Sequence, residues 1–319
     1  MYTLLKSVPV PMSGLMLGVV SLAKLFFLLE ADMPANILFV IGTLLFILLL
    51  LKAIFLLPDV LQELKNPVIA SVAPTFTMGM LVIASIFRLH NVAHTLSTIV
   101  WIVAAILQLV LVIYFVIAFI YKSQWSIQSV LPSWFVLFVG IAMMPATAPQ
   151  FAKPFTQIVF YVALTMLVIL MPVVLSKIFI LRDIPVPAKP LITILAAPTS
   201  LCTTAYIGQF EHIHSTVLAV LIIVAQLLYF IVLYEVQTLI KMPFFPSFGA
   251  FTFPLVVSAM ALKMTSEHLV LHTEWMDIVI YFETIIATGI TVYVLFMYMK
   301  FIILKTKNSI QQKLSDVSN

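Results

Sequence analysis

The sequence predicts an all-α integral membrane protein. Ten transmembrane helices are expected, paired as five helical hairpins in a quasi-five-fold arrangement, with an inner ring of kinked helices around a pore. Three observations lead there. Of 319 residues, 63% are hydrophobic and only 9% are charged, whereas an ordinary soluble domain is nearer half apolar and a quarter charged. The apolar residues fall into ten runs, each near the length of about 20 residues that crosses a hydrocarbon core. Proline and glycine are sorted between alternate runs.

Composition also sets exclusions. A water-soluble globule of this size needs more polar surface than this chain supplies. A soluble enzyme, a nucleic-acid-binding domain and a disordered regulator are therefore ruled out. The formal net charge of +4 does not speak for nucleic acid, because the placement of charges matters more than their sum in such a chain. A single cysteine, Cys202, excludes an internal disulfide and a cysteine-based metal cluster.

The first run, 9–29, follows Lys6 and carries Lys24. It exceeds the apolar core of a signal peptide and no small-residue cleavage site follows, so it reads as the first helix. The link from Glu30 to Pro34 is short, which makes 35–57 its antiparallel partner. The third run, 68–88, holds Pro74 and Gly79 and ends at Arg88; the fourth, 95–120, is unbroken. The fifth, 130–150, holds Gly140, Pro145 and Pro149, and the sixth, 155–178, holds Pro172. The seventh, 190–209, contains Pro198 and Gly208, and a short link from Gln209 to Ser215 leads to the eighth, 214–239. The ninth, 247–265, holds Gly249, Pro254 and Lys263, and the tenth, 274–303, holds Glu283. Residues 1–304 are expected to form the transmembrane domain and 305–319 a polar cytoplasmic tail. A β-barrel does not fit, since these runs are too long and do not alternate.

Orientation follows from Lys and Arg. With the N-terminus, the even-to-odd connections and the C-terminus on one side, that side carries twelve basic residues and the other only Lys24, Arg88, Lys153 and Lys263. The positive-inside rule then places both termini in the cytoplasm, as expected of a multi-pass protein of the cell (plasma) membrane.

Mid-run prolines fall mainly on odd segments, at Pro74, Pro145, Pro198 and Pro254, and so do Gly14, Gly18, Gly79 and Gly140. Proline removes a backbone donor and kinks a helix. In a membrane the freed carbonyls must face protein or a watery cavity. The odd helices are therefore expected inside, as pore-lining and kink positions, and the even helices outside. Lys24, Arg88 and Lys263 each lie nine residues beyond Leu15, Gly79 and Pro254 respectively, so three odd helices end in a base in shared register. Two readings compete for these three: an outer-mouth vestibule that concentrates anions, or long side chains snorkelling to the interface.

Enzymatic signatures are missing. There is no GxxxxGK[ST] loop, HExxH or GxSxG elbow. The six histidines come as His90/His94, His212/His214 and His268/His272. They define no third ligand, so solvated loop histidines are the better reading than a zinc site. No cofactor or metal is expected. Phe253 precedes a kinking proline, where its ring either packs in the core or projects into the axis as a hydrophobic plug.

Two stretches carry a resemblance. Val8-Pro9-Val10-Pro11-Met12-Ser13-Gly14-Leu15 opens the first helix, and Ala250-Phe251-Thr252-Phe253-Pro254 the ninth. With Leu195-Ala196-Ala197-Pro198 and the ten-run pattern, the chain resembles the tellurite-resistance/dicarboxylate transporter family, which includes the plant guard-cell slow anion channels. The resemblance implies a homotrimer whose subunits each hold a pore lined by five inner helices. By matching motif it makes Phe253 the gate phenylalanine, with Phe251 as the alternative. It implies a channel or transporter for small anions: halide, nitrate, sulfite, tellurite or a dicarboxylate. The alternative is a proton-coupled C4-dicarboxylate (malate) carrier. That needs a titratable group in the pathway, for which Glu283 is the candidate.

Overall fold

A computed structural model describes residues 2–122, 129–268 and 274–318. Regular structure among the described residues is helical throughout. Ten apolar helices follow one another: α1 Met12–Leu28, α2 Asp32–Phe55, α3 Pro67–Leu89, α4 His94–Tyr121, α5 Trp134–Ala146, α6 Gln150–Leu181, α7 Val186–Gln209, α8 Ser215–Leu239, α9 Pro246–His268 and α10 Glu274–Ser318. Eight are long and apolar enough to cross a membrane; α1 and α5 are apolar but shorter. Short helices at Tyr2–Ser7 and Leu57–Glu63 flank the entry to α1 and the exit from α2.

The odd and even helices have different environments. In α3, α7 and α9 the most apolar stretch is 83%, 94% and 83% buried, against 22–33% in α2, α4, α6, α8 and α10. The even helices present Ile106, Val168, Leu227 and Ile285 outward, as a surface solvated by lipid must. Each odd helix packs on the even helix that follows it. The odd helices also pack on one another: α1 on α3, α3 on α5, α5 on α7, α7 on α9 and α9 on α1.

α3, α5, α7 and α9 are broken and restarted near their prolines, whereas α1 runs unbroken through Gly14 and Gly18, and Gly79 lies within an unbroken segment. In α3, Pro67–Val72 and Pro74–Leu89 meet at Ala73. In α7 a 3₁₀ segment, Val186–Ala196, gives way to the α-helix Ala197–Gln209. In α9 a 3₁₀ turn, Pro246–Phe251, precedes the α-helix that starts at Phe253. α5 alternates between Trp134–Phe138, Gly140–Ala142 and Met143–Ala146. Pro74 and Pro198 fall at the first turn of a restarted helix, where the missing N–H has no intrahelical partner to lose.

The carbonyls freed at the breaks are taken up by hydroxyls. Thr75 donates to Val72 at 2.7 Å and Thr77 to Pro74 at 2.8 Å. Thr193 reaches both Pro190 at 2.8 Å and Ala250 at 2.7 Å, which ties α7 to α9. Thr252 donates to Gly249 at 2.9 Å and to Gly14 at 3.1 Å, which ties α9 to α1. Side-chain hydroxyls make broken helices tolerable at membrane depth in this way.

Two glycines allow α1 and α9 to approach closely. A β-carbon at Gly249 would stand 3.0 Å from the Pro11 carbonyl oxygen and 3.1 Å from the Leu15 nitrogen. One at Gly18 would run into the Thr252 side chain.

The polar residues after 304 are helical. α10 does not stop near residue 304 but continues as one 45-residue helix through Ser318, because no glycine or proline interrupts the sequence beyond Gly289.

Candidate functional site

The breaks enclose a cavity of about 400 Å³ on the face that holds the N-terminus. Every odd helix contributes to its wall: Gly14 from α1, Thr75 from α3, Gly140 from α5, Pro198 from α7, and Phe253 with Pro254 from α9. Apart from backbone, the wall is nearly all apolar. Glu63, Asn66, Thr75 and Ser247 are its polar side chains.

The acid on this wall is neutralised. Lys52, 2% exposed, forms an ion pair with Glu63 and also donates to the Val8 carbonyl. The Glu63 carboxylate accepts the Val10 N–H at 2.9 Å. One buried base and one half-buried acid thus pin the Val8–Val10 segment to the end of α2 and cancel the negative charge facing the cavity.

A second cavity of about 20 Å³ is lined by residues further along the odd helices and shares Phe253 with the first. Ser21, Lys24, Thr204, Val257 and Met260 are in its wall. Phe253 and Leu201 line both cavities. The Phe253 ring, 7% exposed, is thus part of the wall of both voids. Phe251 is fully buried, packs edge-on against Phe248 at 4.8 Å between centroids, and lines neither cavity.

The other positions singled out in the sequence are distributed as follows. Gly14, Gly140, Pro198 and Pro254 line the larger cavity. Gly18, Pro74, Gly79 and Pro145 line neither cavity; Gly18 and Gly79 receive the side chains of Thr252 and Met16, respectively. The three bases are not equivalent. Lys24 lines the smaller cavity, within electrostatic reach of Arg88. Arg88 donates to the Thr147 carbonyl and reaches the Ser97 hydroxyl at 3.4 Å. Lys263 pairs with Glu267, one turn on, at 3.0 Å. Glu283, the titratable candidate of the carrier alternative, is 0% exposed and lies beside Ser258 and Gln226.

Among the histidines, His90 packs edge-on against Phe27 at 4.4 Å, and His268 Nδ1 lies 2.9 Å from the Met264 carbonyl. His272 falls outside the described residues.

The Lys52–Glu63 pair is the feature sequence reading did not find. Its signal was a lysine inside the otherwise apolar run 35–57, since a charge within a span asks for a partner. Thr75 and Leu201 carried no signal, being ordinary residues for a membrane helix.

The comparison with protein families agrees with this geometry. A family model described as voltage-dependent anion channel matches residues 8–299. A search of curated proteins returns no match to the chain. The matched range starts just before α1 and runs into α10, so it takes in every odd helix and both cavities. A multi-pass membrane chain with an apolar, internally lined cavity and this match is a channel or transporter for anions: the chain belongs to the voltage-dependent anion channel family.

Proposed function

We propose that the two cavities are the two halves of one anion pore, interrupted by the Phe253 ring. The observation that carries this reading is that Phe253 lines both voids while Phe251 lines neither. All ten apolar helices cross the membrane in this reading. The odd ones form a quasi-five-fold inner ring, supported by the closed sequence of contacts from α1 through α9 back to α1.

The mechanism has three parts. Lys24, Arg88 and Lys263 set a positive potential at one mouth, where field focusing raises the local anion concentration. Because Arg88 is engaged by the neutral Thr147 carbonyl, it contributes field rather than direct contact, while the Glu267 carboxylate offsets most of the contribution of Lys263. The bore beyond is apolar, with its only acid cancelled by Lys52, so an anion binds weakly and leaves quickly. Opening requires the Phe253 ring to swing away from Leu201, a rotamer or local helix change rather than a rocking of two halves.

The conducted species belongs among halide, nitrate, sulfite, tellurite and small dicarboxylates. Both termini face the cytoplasm of a plasma-membrane protein, as the twelve-to-four distribution of bases indicates. The subunits assemble as a homotrimer, as the family resemblance implies.

Phe253→Ala expressed in oocytes is expected to produce a constitutive anion current well above that of the parent. Phe251→Ala is expected to leave the pathway closed. A Phe253→Ala protein that reaches the surface and carries only parent-level current removes the gate from this account.

A further inference from the structure

The smaller cavity has the makings of a ligand site in its own right. Ser21 is 1% exposed, and its hydroxyl has no hydrogen-bond partner although it lines the void. A buried hydroxyl left in that state is a donor waiting for an acceptor. Lys24 lies on the same helix three residues on and lines the same void, and no acidic side chain is paired with it among the described residues. Arg88, a like charge within electrostatic reach, has its guanidinium held by Thr147 and Ser97. A lysine with no acidic partner and a hydroxyl with no acceptor, facing one apolar void, call for an anion. Thr204, the other hydroxyl there, already donates to the Leu201 carbonyl at 2.9 Å.

Size and lining narrow the ligand. A void of about 20 Å³ holds roughly one water-sized particle. Apart from Ser21, Lys24 and Thr204, the wall is made of aliphatic, thioether and aromatic groups, including Val257, Met260 and Phe253. Such a wall offers no further donors to replace a hydration shell. It favours a small monovalent anion that dehydrates readily and has no room for a four-carbon dicarboxylate.

We propose that Ser21 and Lys24 form a coordination site for a single halide ion, directly beside the Phe253 ring. The proposal deepens the pore reading and rests on it only for its transport consequence. The site fills while the ring is in place, so the halide waits against the barrier.

The direct test needs no current. Wild-type crystals grown in bromide should show an anomalous peak within hydrogen-bonding range of Lys24 Nζ and Ser21 Oγ. Crystals of Lys24→Gln grown in the same way should lose it. Equilibrium bromide titration of the purified proteins should show affinity falling about tenfold in Lys24→Gln and about fivefold in Ser21→Ala, as expected for loss of a charge-assisted and a neutral hydrogen bond. A peak elsewhere only, or unchanged affinity in folded Lys24→Gln, overturns the site. The transport arm uses the Phe253→Ala background, where Lys24→Gln should raise the half-saturating chloride concentration about tenfold. A silent Phe253→Ala channel with an intact bromide peak refutes the pore reading and leaves the halide site standing.

Discussion

The Lys52–Glu63 pair gives a stability prediction whose sign and asymmetry follow from geometry. Lys52 is 2% exposed and has two acceptors, the Glu63 carboxylate and the Val8 carbonyl. Glu63 is 28% exposed at its side chain and has a second donor, the Val10 N–H at 2.9 Å. Removing one member of a fully buried pair costs about 3–5 kcal/mol, because it strands the other charge. Glu63→Gln strands the fully buried lysine, and the partial exposure of the acid discounts its loss to about 3 kcal/mol. Lys52→Met strands an acid that keeps the Val10 donor and some water, a loss of about 1–2 kcal/mol. The double variant Lys52→Met/Glu63→Gln strands no charge and should lie close to Lys52→Met alone. Unfolding in mixed detergent followed by tryptophan fluorescence measures all four proteins and yields a coupling energy of about 3 kcal/mol. Additive losses, or a Lys52→Met protein weaker than Glu63→Gln, would show that the pair does not hold the Val8–Val10 segment in the way described.

Two further predictions use other parts of the fold. Gly249→Ala puts a methyl group against the backbone of Pro11 and Leu15 and should destabilise by about 1–3 kcal/mol, the usual penalty for overpacking. Gly289→Ala, where nothing lies within 4 Å, should be neutral or gain about 0.5–1 kcal/mol from helix propensity. Equal thermal midpoints for the two variants would remove the close approach of α1 and α9 from the argument. Glu283 is fully buried with neither carboxylate oxygen in hydrogen-bonding geometry, and the Gln226 amide oxygen and Tyr229 hydroxyl are also unpartnered. An amide there supplies donors, so Glu283→Gln should fold as well as the parent, while Glu283→Ala should lose about 2 kcal/mol or more to the void. A Gln variant that folds as poorly as Ala would mean that the negative charge itself is required.

Much of the architecture was legible because lipid imposes simple rules. The alternation of broken and unbroken runs separated inner from outer helices, since a proline such as Pro254 or Pro74 can only be tolerated where its freed carbonyls meet protein. The form of the break was not legible. Whether Pro198 bends one helix or joins a 3₁₀ segment to an α-helix depends on hydroxyls such as Thr193 and Ser200 and on contacts from α9, which lie far away in sequence. The site was half legible. Phe253 stood out by its place before a proline, and the shared register of Lys24, Arg88 and Lys263 was visible. Register alone could not reveal that Arg88 would be occupied by Thr147, or Lys263 by Glu267, and Lys24 left to line a cavity. Leu201 became interesting only when it was found with Phe253 in the wall of both voids. The polar composition after residue 304 did not tell that this segment continues α10 as helix.

The central claim is that one aromatic ring separates two halves of an anion pathway. Purified parent and Phe253→Ala proteins, reconstituted in planar bilayers under a potassium chloride gradient, test it most directly. The account predicts a closed parent and a conducting variant whose reversal potential lies at the chloride equilibrium value. A variant as silent as the parent, or one whose reversal potential follows potassium, contradicts it.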